Sequence, residues 1–186
     1  MGSVIQFEER AVAALRERLG AAETARADLL AFARGHSGAV AAIHQAVIAA
    51  MEASSFDDLT DVVTKRWPDM LGLDFVAMAL VIDGKGFRID AAGVSFVELQ
   101  IIERALGLSD VALRSVGGGH PLFGQSAASI RAEALVGLGA EDPYPRGLLL
   151  LGQRAENPAS SDEGASLLEF LGAALGAMLR RWATNG

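Results

Sequence analysis

Apolar positions repeat every seven residues along the N-terminal part of the chain. Two rows form this seam, with Ile5, Val12 and Leu19 in one and Leu15, Ala22 and Leu29 in the other. A heptad pattern of this kind predicts an amphipathic helix over residues 4–34 that packs against another helix. Gly35 and Gly38 then predict a kink or a break, because a glycine inside a helix costs about 1 kcal/mol relative to alanine.

Two further helices are expected before the pattern changes. Apolar residues at helical spacing predict a helix over residues 39–53. Ser54 and Ser55 are each followed three residues later by an aspartate, which is a variant of the capping box and predicts the start of the third helix. Pro68 ends or kinks that helix.

The apolar period then becomes typical of strands. Residues 75–82 are apolar on both faces, as in a central strand, and residues 83–86 read as a hairpin turn into a strand at 87–90. Later segments predict, in chain order, a helix at 95–107, a strand at 111–116, a half-exposed strand at 130–136, a strand at 148–151 and a final helix at 162–182.

This order of elements predicts an α+β fold, in which helices flank an antiparallel sheet. Residues 1–36 are expected to form an N-terminal dimerisation helix, a long coiled-coil helix. Residues 37–183 are expected to form the folded domain.

Composition and charge narrow the classes of function. The chain has 186 residues, no cysteine and a net charge of -7. The absence of cysteine excludes disulfides and thiolate metal sites, and it fits a cytoplasmic location. The acidic balance argues against nucleic acid as a partner. No apolar run is long enough to predict a signal peptide or a transmembrane helix, so no membrane association is expected.

Several segments resemble the DUF484 family of proteobacteria, whose members have a GAF-like fold. The resemblance rests on residues 4–10, 15–18 and 29–34 near the N-terminus and on residues 133–139, 147–152 and 167–172 near the C-terminus. It implies a GAF/PAS-like domain with no assigned reaction and no catalytic residues.

A GAF-like fold implies a pocket between the sheet and the elements that cover it, here residues 95–107 and 117–127. Candidate ligand-binding residues are Arg114, His120, Phe123 and Arg131, because an arginine can pair with a carboxylate or phosphate and a phenylalanine can form an apolar wall. The alternatives are two arginines on an exposed sheet face and an ordinary glycine-rich loop at Gly117–His120.

The sequence contains no pattern typical of a reaction centre. Neither a G-x-S-x-G elbow nor an H-E-x-x-H motif occurs, and His36 and His44 are too far apart to share a metal within one straight helix. The cysteine-dependent chemistries of GAF domains need a residue that this chain lacks. We therefore expect no catalytic residue, no metal and no cofactor.

Dimerisation is expected at the first and last helices. The heptad seam, through Ile5, Val12, Leu15 and Leu19, has no evident intrachain neighbour. Gly172 and Gly176 lie four residues apart in the last helix, where close approach of another helix would explain why they are tolerated. The predicted interface is a bundle of the first and last helices of two protomers.

Three functions remain open. The first is a sensory or regulatory domain that binds an unknown small molecule and signals to a separate, unidentified protein. The second is a dimeric scaffold or protein-interaction module whose core is filled by side chains such as Phe75, Met78 and Phe96. The third is an enzyme of a kind that the motifs do not reveal.

Overall fold

The structure is a computed structural model that describes residues 3–107, 110–139, 146–156 and 162–183. The helical elements are α1 (Ser3–Met51), α2 (Phe56–Asp61), a π-helical turn (Val62–Arg66), α3 (Trp67–Leu71), α4 (Leu99–Leu106), a 3₁₀ segment (Pro121–Ser129) and α5 (Asp162–Ala183). The strands are β1 (Phe75–Ile82), β2 (Lys85–Asp90), β3 (Gly93–Val97), β4 (Val111–Ser115), β5 (Ala132–Gly137) and β6 (Arg146–Gln153). The chain divides into two compact units, Met1–Ala41 and Ala42–Gly186.

α1 is one uninterrupted helix, so the break expected at Gly35 and Gly38 does not occur. Each of these glycines has open space around its α-carbon. Glycine lowers helix propensity but keeps its backbone N–H, so the helical hydrogen bonds continue through both positions at a cost of about 1 kcal/mol each.

The six strands form one antiparallel sheet in the order β3-β2-β1-β6-β5-β4. β1 lies inside the sheet between β2 and β6, which explains why it is apolar on both faces. This confirms the predicted α+β class. The hairpin turn is also confirmed, with Asp83 and Gly84 both at positive φ between β1 and β2.

The prediction of a helix over residues 95–107 is wrong in its first part. Gly93–Val97 forms the edge strand β3, which pairs with β2, and α4 begins only at Leu99. Phe96 therefore lies on an edge strand with 78% of its surface exposed, and it does not fill the core. Met78 does, since it is fully buried, while Phe75 is half-buried.

Each face of the sheet has its own core. One face packs against the C-terminal part of α1, α2, α3 and α5 through residues such as Met78, Val136 and Leu149. The opposite face packs against α4 and the 3₁₀ segment, which we call the cover segment (Pro121–Ser129). Because both faces are covered, β5 is buried from Ala132 to Val136, and the prediction of a half-exposed strand there is wrong.

Close packing within the chain explains why α5 has glycine at positions 172 and 176. A Cβ on Gly172 would lie 2.6 Å from Val136 Cγ1, and one on Gly176 would overlap the carbonyl oxygen of Leu138. The element that approaches these glycines is therefore the end of β5 in the same chain and not another helix. This finding removes the argument that assigned Gly172 and Gly176 to a dimer interface.

Candidate functional site

Arg114 and His120 are brought together by a buried carboxylate that the sequence analysis did not single out. Arg114 and Glu133 are directly opposite each other on β4 and β5, and Arg114 Nε donates to Glu133 Oε1 at 2.7 Å. The backbone N–H of His120 donates to Glu133 Oε2 at 2.6 Å. The Glu133 side chain has no exposed surface, so its charge is balanced by the guanidinium and this N–H.

His120 also fixes the start of the cover segment. Its Nδ1 accepts a hydrogen bond from the N–H of Leu122 at 3.3 Å, as an N-cap residue does. Burial lowers the pKa of His120 below its ordinary value, Glu133 opposes this shift, and Arg114 adds to it. The neutral imidazole is the form that can accept this hydrogen bond.

Phe123 and Arg131 have separate roles. The Phe123 ring lies over β6, where Gly152 leaves room for it. It is buried in the core between the sheet, α4 and the cover segment. Arg131 Nη1 donates to the carbonyl oxygens of Ala128 and Ile130, at 2.9 Å each, and so binds the end of the cover segment. Of the four predicted ligand-binding residues, only Phe123 lines the cleft described next.

A cleft of about 430 Å³ opens where β1 extends beyond its pairing with β2. Its apolar wall includes Phe75, Val76, Ala77 and Phe123, and its polar lining includes Asp74, Arg88, Asp90, Gln125 and Ser126. A volume of this size is typical of small-molecule sites, which combine apolar walls with a few polar groups. The cover segment lines the cleft, but α4 does not, and Thr64 of the π-helical turn and Pro68 of α3 line it as well.

Arg88 is the unusual residue of the cleft. Its Nε lies 2.9 Å from Asp90 Oδ2, yet this N–H has no aligned hydrogen bond within the part of the chain that the structure describes. Ser95 is directly opposite Arg88 across the β2–β3 ladder, and its Oγ is also buried without a partner among the described residues. Two neighbouring polar groups are thus left unsatisfied, which is rare in folded proteins.

The sequence pattern around Arg88 does not reveal whether the polar face of its strand is exposed to water or buried. Arg88 and Asp90 alternate with Phe87 and Ile89 in β2, a pattern typical of a strand with one face in water. The structure instead covers that face with the segment around Gly124, so both side chains are mostly buried. Finding this site required knowing that a distant segment folds over β2.

A second apolar groove, of about 390 Å³, lies between the C-terminal part of α1 and α5. Its lining includes Val47, Met51, Phe170, Met178 and Trp182, of which Met51 is 63% exposed and Phe170 47% exposed. Ile5, Val12 and Leu15 lie outside the residues whose side chains are described, and Leu19 is 61% exposed. These residues stay predicted interface positions.

The described residues offer neither a cluster of metal ligands nor a membrane-spanning helix. No group of three or more histidine, aspartate or glutamate residues there could hold a metal ion. Among the same residues, no helix combines the length and apolar character needed to cross a lipid bilayer.

Solved structures of GAF domains resemble this fold. The GAF domain of a two-component sensor histidine kinase from Bacillus halodurans is 14% identical with a TM-score of 0.54, covering 71% of this chain and 98% of that one. The GAF domain of a putative sensor histidine kinase from Pseudomonas syringae pv. tomato is 12% identical with a TM-score of 0.52, covering 83% and 94%. The GAF domain of an Acinetobacter phosphoenolpyruvate-protein phosphotransferase is 11% identical with a TM-score of 0.51, covering 78% and 94%.

The protein therefore has a GAF-like fold. Residues 1–184 match the family described as "Protein of unknown function, DUF484", and the chain belongs to this family. No curated protein matches the chain significantly.

Proposed function

We propose that this chain is a non-catalytic sensory or regulatory GAF-like domain that binds a small molecule in the cleft of Phe75, Arg88 and Phe123 and acts as a dimer. The cleft is the observation that carries the proposal. It combines an apolar wall with a polar lining that includes Arg88, whose Nε–H has no aligned hydrogen bond with the described residues, and such a combination is typical of small-molecule sites. A cytoplasmic location stays a prediction.

The sensor is favoured over the scaffold with a filled core. The scaffold requires side chains to occupy the space that a ligand would take, yet Phe96 lies on an exposed edge and Phe75 forms a wall of an open cleft. The GAF domains of sensor kinases with this fold belong to signalling proteins, which agrees with a regulatory role.

A non-catalytic role is supported by the chemistry of the cleft. Asp74 Oδ2 accepts the backbone N–H of Arg154, and Asp90 Oδ1 accepts the N–H of Ala92. Both carboxylates thus have structural hydrogen bonds. General acid–base work requires a group free to exchange a proton with a substrate.

Native mass spectrometry of the protein purified without added ligand tests the proposal. The expected spectrum shows a dimer that carries a stoichiometric extra mass. Ala92 is exposed and lines the cleft, so Ala92→Trp should fill its mouth and remove that mass. Ala128→Trp is the matched control, because Ala128 is exposed on the cover segment outside the cleft.

Two results would contradict the ligand-binding role. One is an extra mass that persists in Ala92→Trp, which would locate the ligand elsewhere. The other is an apo protein whose melting temperature does not respond to any member of a metabolite library.

A further inference from the structure

The hydrogen-bonding groups of the cleft are unevenly used. The guanidinium of Arg88 forms an ion pair with Asp90 through Nε, and this N–H has no aligned hydrogen bond with the residues that the structure describes. A guanidinium has five N–H donors in a fixed planar fork. The cleft therefore has donors to spare at Arg88.

The two carboxylates of the cleft already have partners. Asp90 accepts the Ala92 N–H at 2.9 Å, and Asp74 accepts the Arg154 N–H at 2.8 Å. Asp74 also lies 3.7 Å from the Arg154 guanidinium, which balances its charge from outside the cleft. A ligand that brings acceptors complements this lining better than one that brings donors.

The backbone is shaped to hold the Arg88 side chain in place. A Cβ on Gly124 would overlap Nη1 of Arg88, and Gly124 has a φ of 59° and a ψ of -130°, which a residue with a side chain rarely adopts. The cover segment thus contacts the guanidinium through a bare α-carbon. This contact limits the freedom of the side chain before any ligand binds, and preorganisation of this kind favours affinity.

We infer that the cleft binds a small carboxylate-bearing molecule, whose acid group pairs with Arg88 and whose apolar body packs on Phe75 and Phe123. This inference rests on the proposed function, since it names the class of ligand for that same cleft. Planar guanidinium and carboxylate groups match in a bidentate arrangement. Arg88 is the one cation among the described residues that line the cleft, and the acid group of the ligand would share it with Asp90, which lies 2.9 Å from its Nε.

Ser95 is the neighbour of Arg88 on β3, and it is not among the described residues that line the cleft. Its hydroxyl is on the β3 residue paired with Arg88 and has no partner among the described residues. A carboxylate has two oxygens and about four acceptor positions. It can therefore accept from Arg88 with acceptor positions to spare for water.

Phenylacetate and phenylacetamide form a matched pair of probes, because they share an aromatic body and differ in the acid group. Each is titrated into ¹⁵N-labelled wild-type protein, and the Nε–Hε resonances of the arginines are followed by NMR. We expect phenylacetate to shift the Arg88 resonance and to bind about tenfold or more tightly than phenylacetamide. Phenylethylamine, which carries a positive charge, is expected not to bind.

Variants assign the effect to Arg88. Arg88→Gln should weaken phenylacetate binding about tenfold or more, and Arg88→Lys should recover part of it, because lysine keeps the charge but loses the planar fork. Arg146→Gln is the control, since Arg146 is half-exposed in a 3.7 Å surface pair with Glu103. The comparison of probes uses wild-type protein alone, so it holds even where a variant fails to fold.

The outcomes separate this inference from the proposed function. Equal or tighter binding of phenylacetamide or phenylethylamine in the cleft would overturn the carboxylate assignment and leave a small-molecule site standing. Binding of phenylacetate without any change at Arg88 would also overturn it. If no probe binds and the purified protein carries no extra mass, the ligand-binding role falls and the inference falls with it.

Discussion

At the scale of single residues, Glu133 determines what its neighbours can do. Its carboxylate is fully buried and receives both the Arg114 guanidinium and the His120 N–H. Removing one partner of such a group leaves a buried charge uncompensated, which costs more than the pair contributes. Arg114 is therefore engaged in holding β4, β5 and the cover segment together, and it is a poor candidate for binding an anion from solution.

His120 should make stability depend on pH. Its pKa in the folded protein is lowered, chiefly by burial, from 6.5. Above pH 6.5 the imidazole is neutral in both states, so its contribution is fully present. As the pH falls below 6.5, the unfolded state takes up a proton first, and stability is lost until the pH passes the lowered folded value.

His120→Asn provides the reference for this prediction, because asparagine also caps a helix but does not titrate. We expect the free energy of unfolding of the wild type, relative to His120→Asn, to be constant between pH 8 and 7 and to fall below pH 6.5. Urea unfolding at several pH values measures it. A difference that stays constant down to pH 5 would show that the imidazole is not buried as described.

The sequence analysis singled out Arg114 and His120 but neither Glu133, which pairs with both, nor Arg88, which lines the cleft. Arg88 and Glu133 are each a charge in a strand that alternates polar and apolar positions. Alternation marks the two faces of a strand, but it does not say whether a face is in water. The face that carries both residues is covered by α4 and the cover segment, and the pattern of the two strands does not indicate that cover.

At the scale of elements, local signals were reliable wherever a residue type forces a conformation. The Ser54–Ser55 cap forms as predicted, with Ser55 Oγ accepting the N–H of Asp58 and Asp58 Oδ2 accepting the N–H of Ser54. The Asp83–Gly84 turn forms for the same reason. The prediction of a helix over residues 95–107 was wrong in its first part because the spacing of Phe96, Leu99 and Ile102 also fits a helix. Residues 93–97 form a strand because they pair with β2.

Alanine substitutions at two helical glycines should have opposite effects. Gly176→Ala should lower the free energy of unfolding by about 1–3 kcal/mol, because its Cβ would overlap the Leu138 carbonyl and force α5 away from β5. Gly38→Ala has open space and should strengthen α1 by up to about 1 kcal/mol. Chemical denaturation measures the effect of Gly176→Ala. The helical signal in circular dichroism measures the effect of Gly38→Ala. If Gly176→Ala is neutral, α5 does not pack on β5 as closely as described.

At the scale of the whole molecule, apolar surface remains uncovered on the helices. Ile48, Met51 and Phe170 are exposed beside the groove between α1 and α5, and contiguous apolar surface on a protein commonly marks an interface. The heptad seam on the N-terminal part of α1 is a second region of this kind by sequence. Either the groove or the heptad seam could bury its apolar residues in a helical bundle between two protomers. A variant in the seam should disrupt the dimer only if the seam forms the interface.

Leu15→Lys with Leu19→Lys tests whether the heptad seam holds the dimer. A charge at a core position of a helical bundle must be desolvated without a partner, so two lysines per chain should convert the dimer to a monomer. The control is Ala21→Lys with Thr24→Lys, which adds the same charge at exposed positions of the same helix away from the seam. Light scattering coupled to size exclusion gives the mass of each variant in solution.

A control that stays dimeric beside a monomeric seam variant would assign the dimer to the N-terminal part of α1. An unchanged dimer in both would exclude the seam and direct the same test to Met51 and Phe170, whose exposed side chains border the groove.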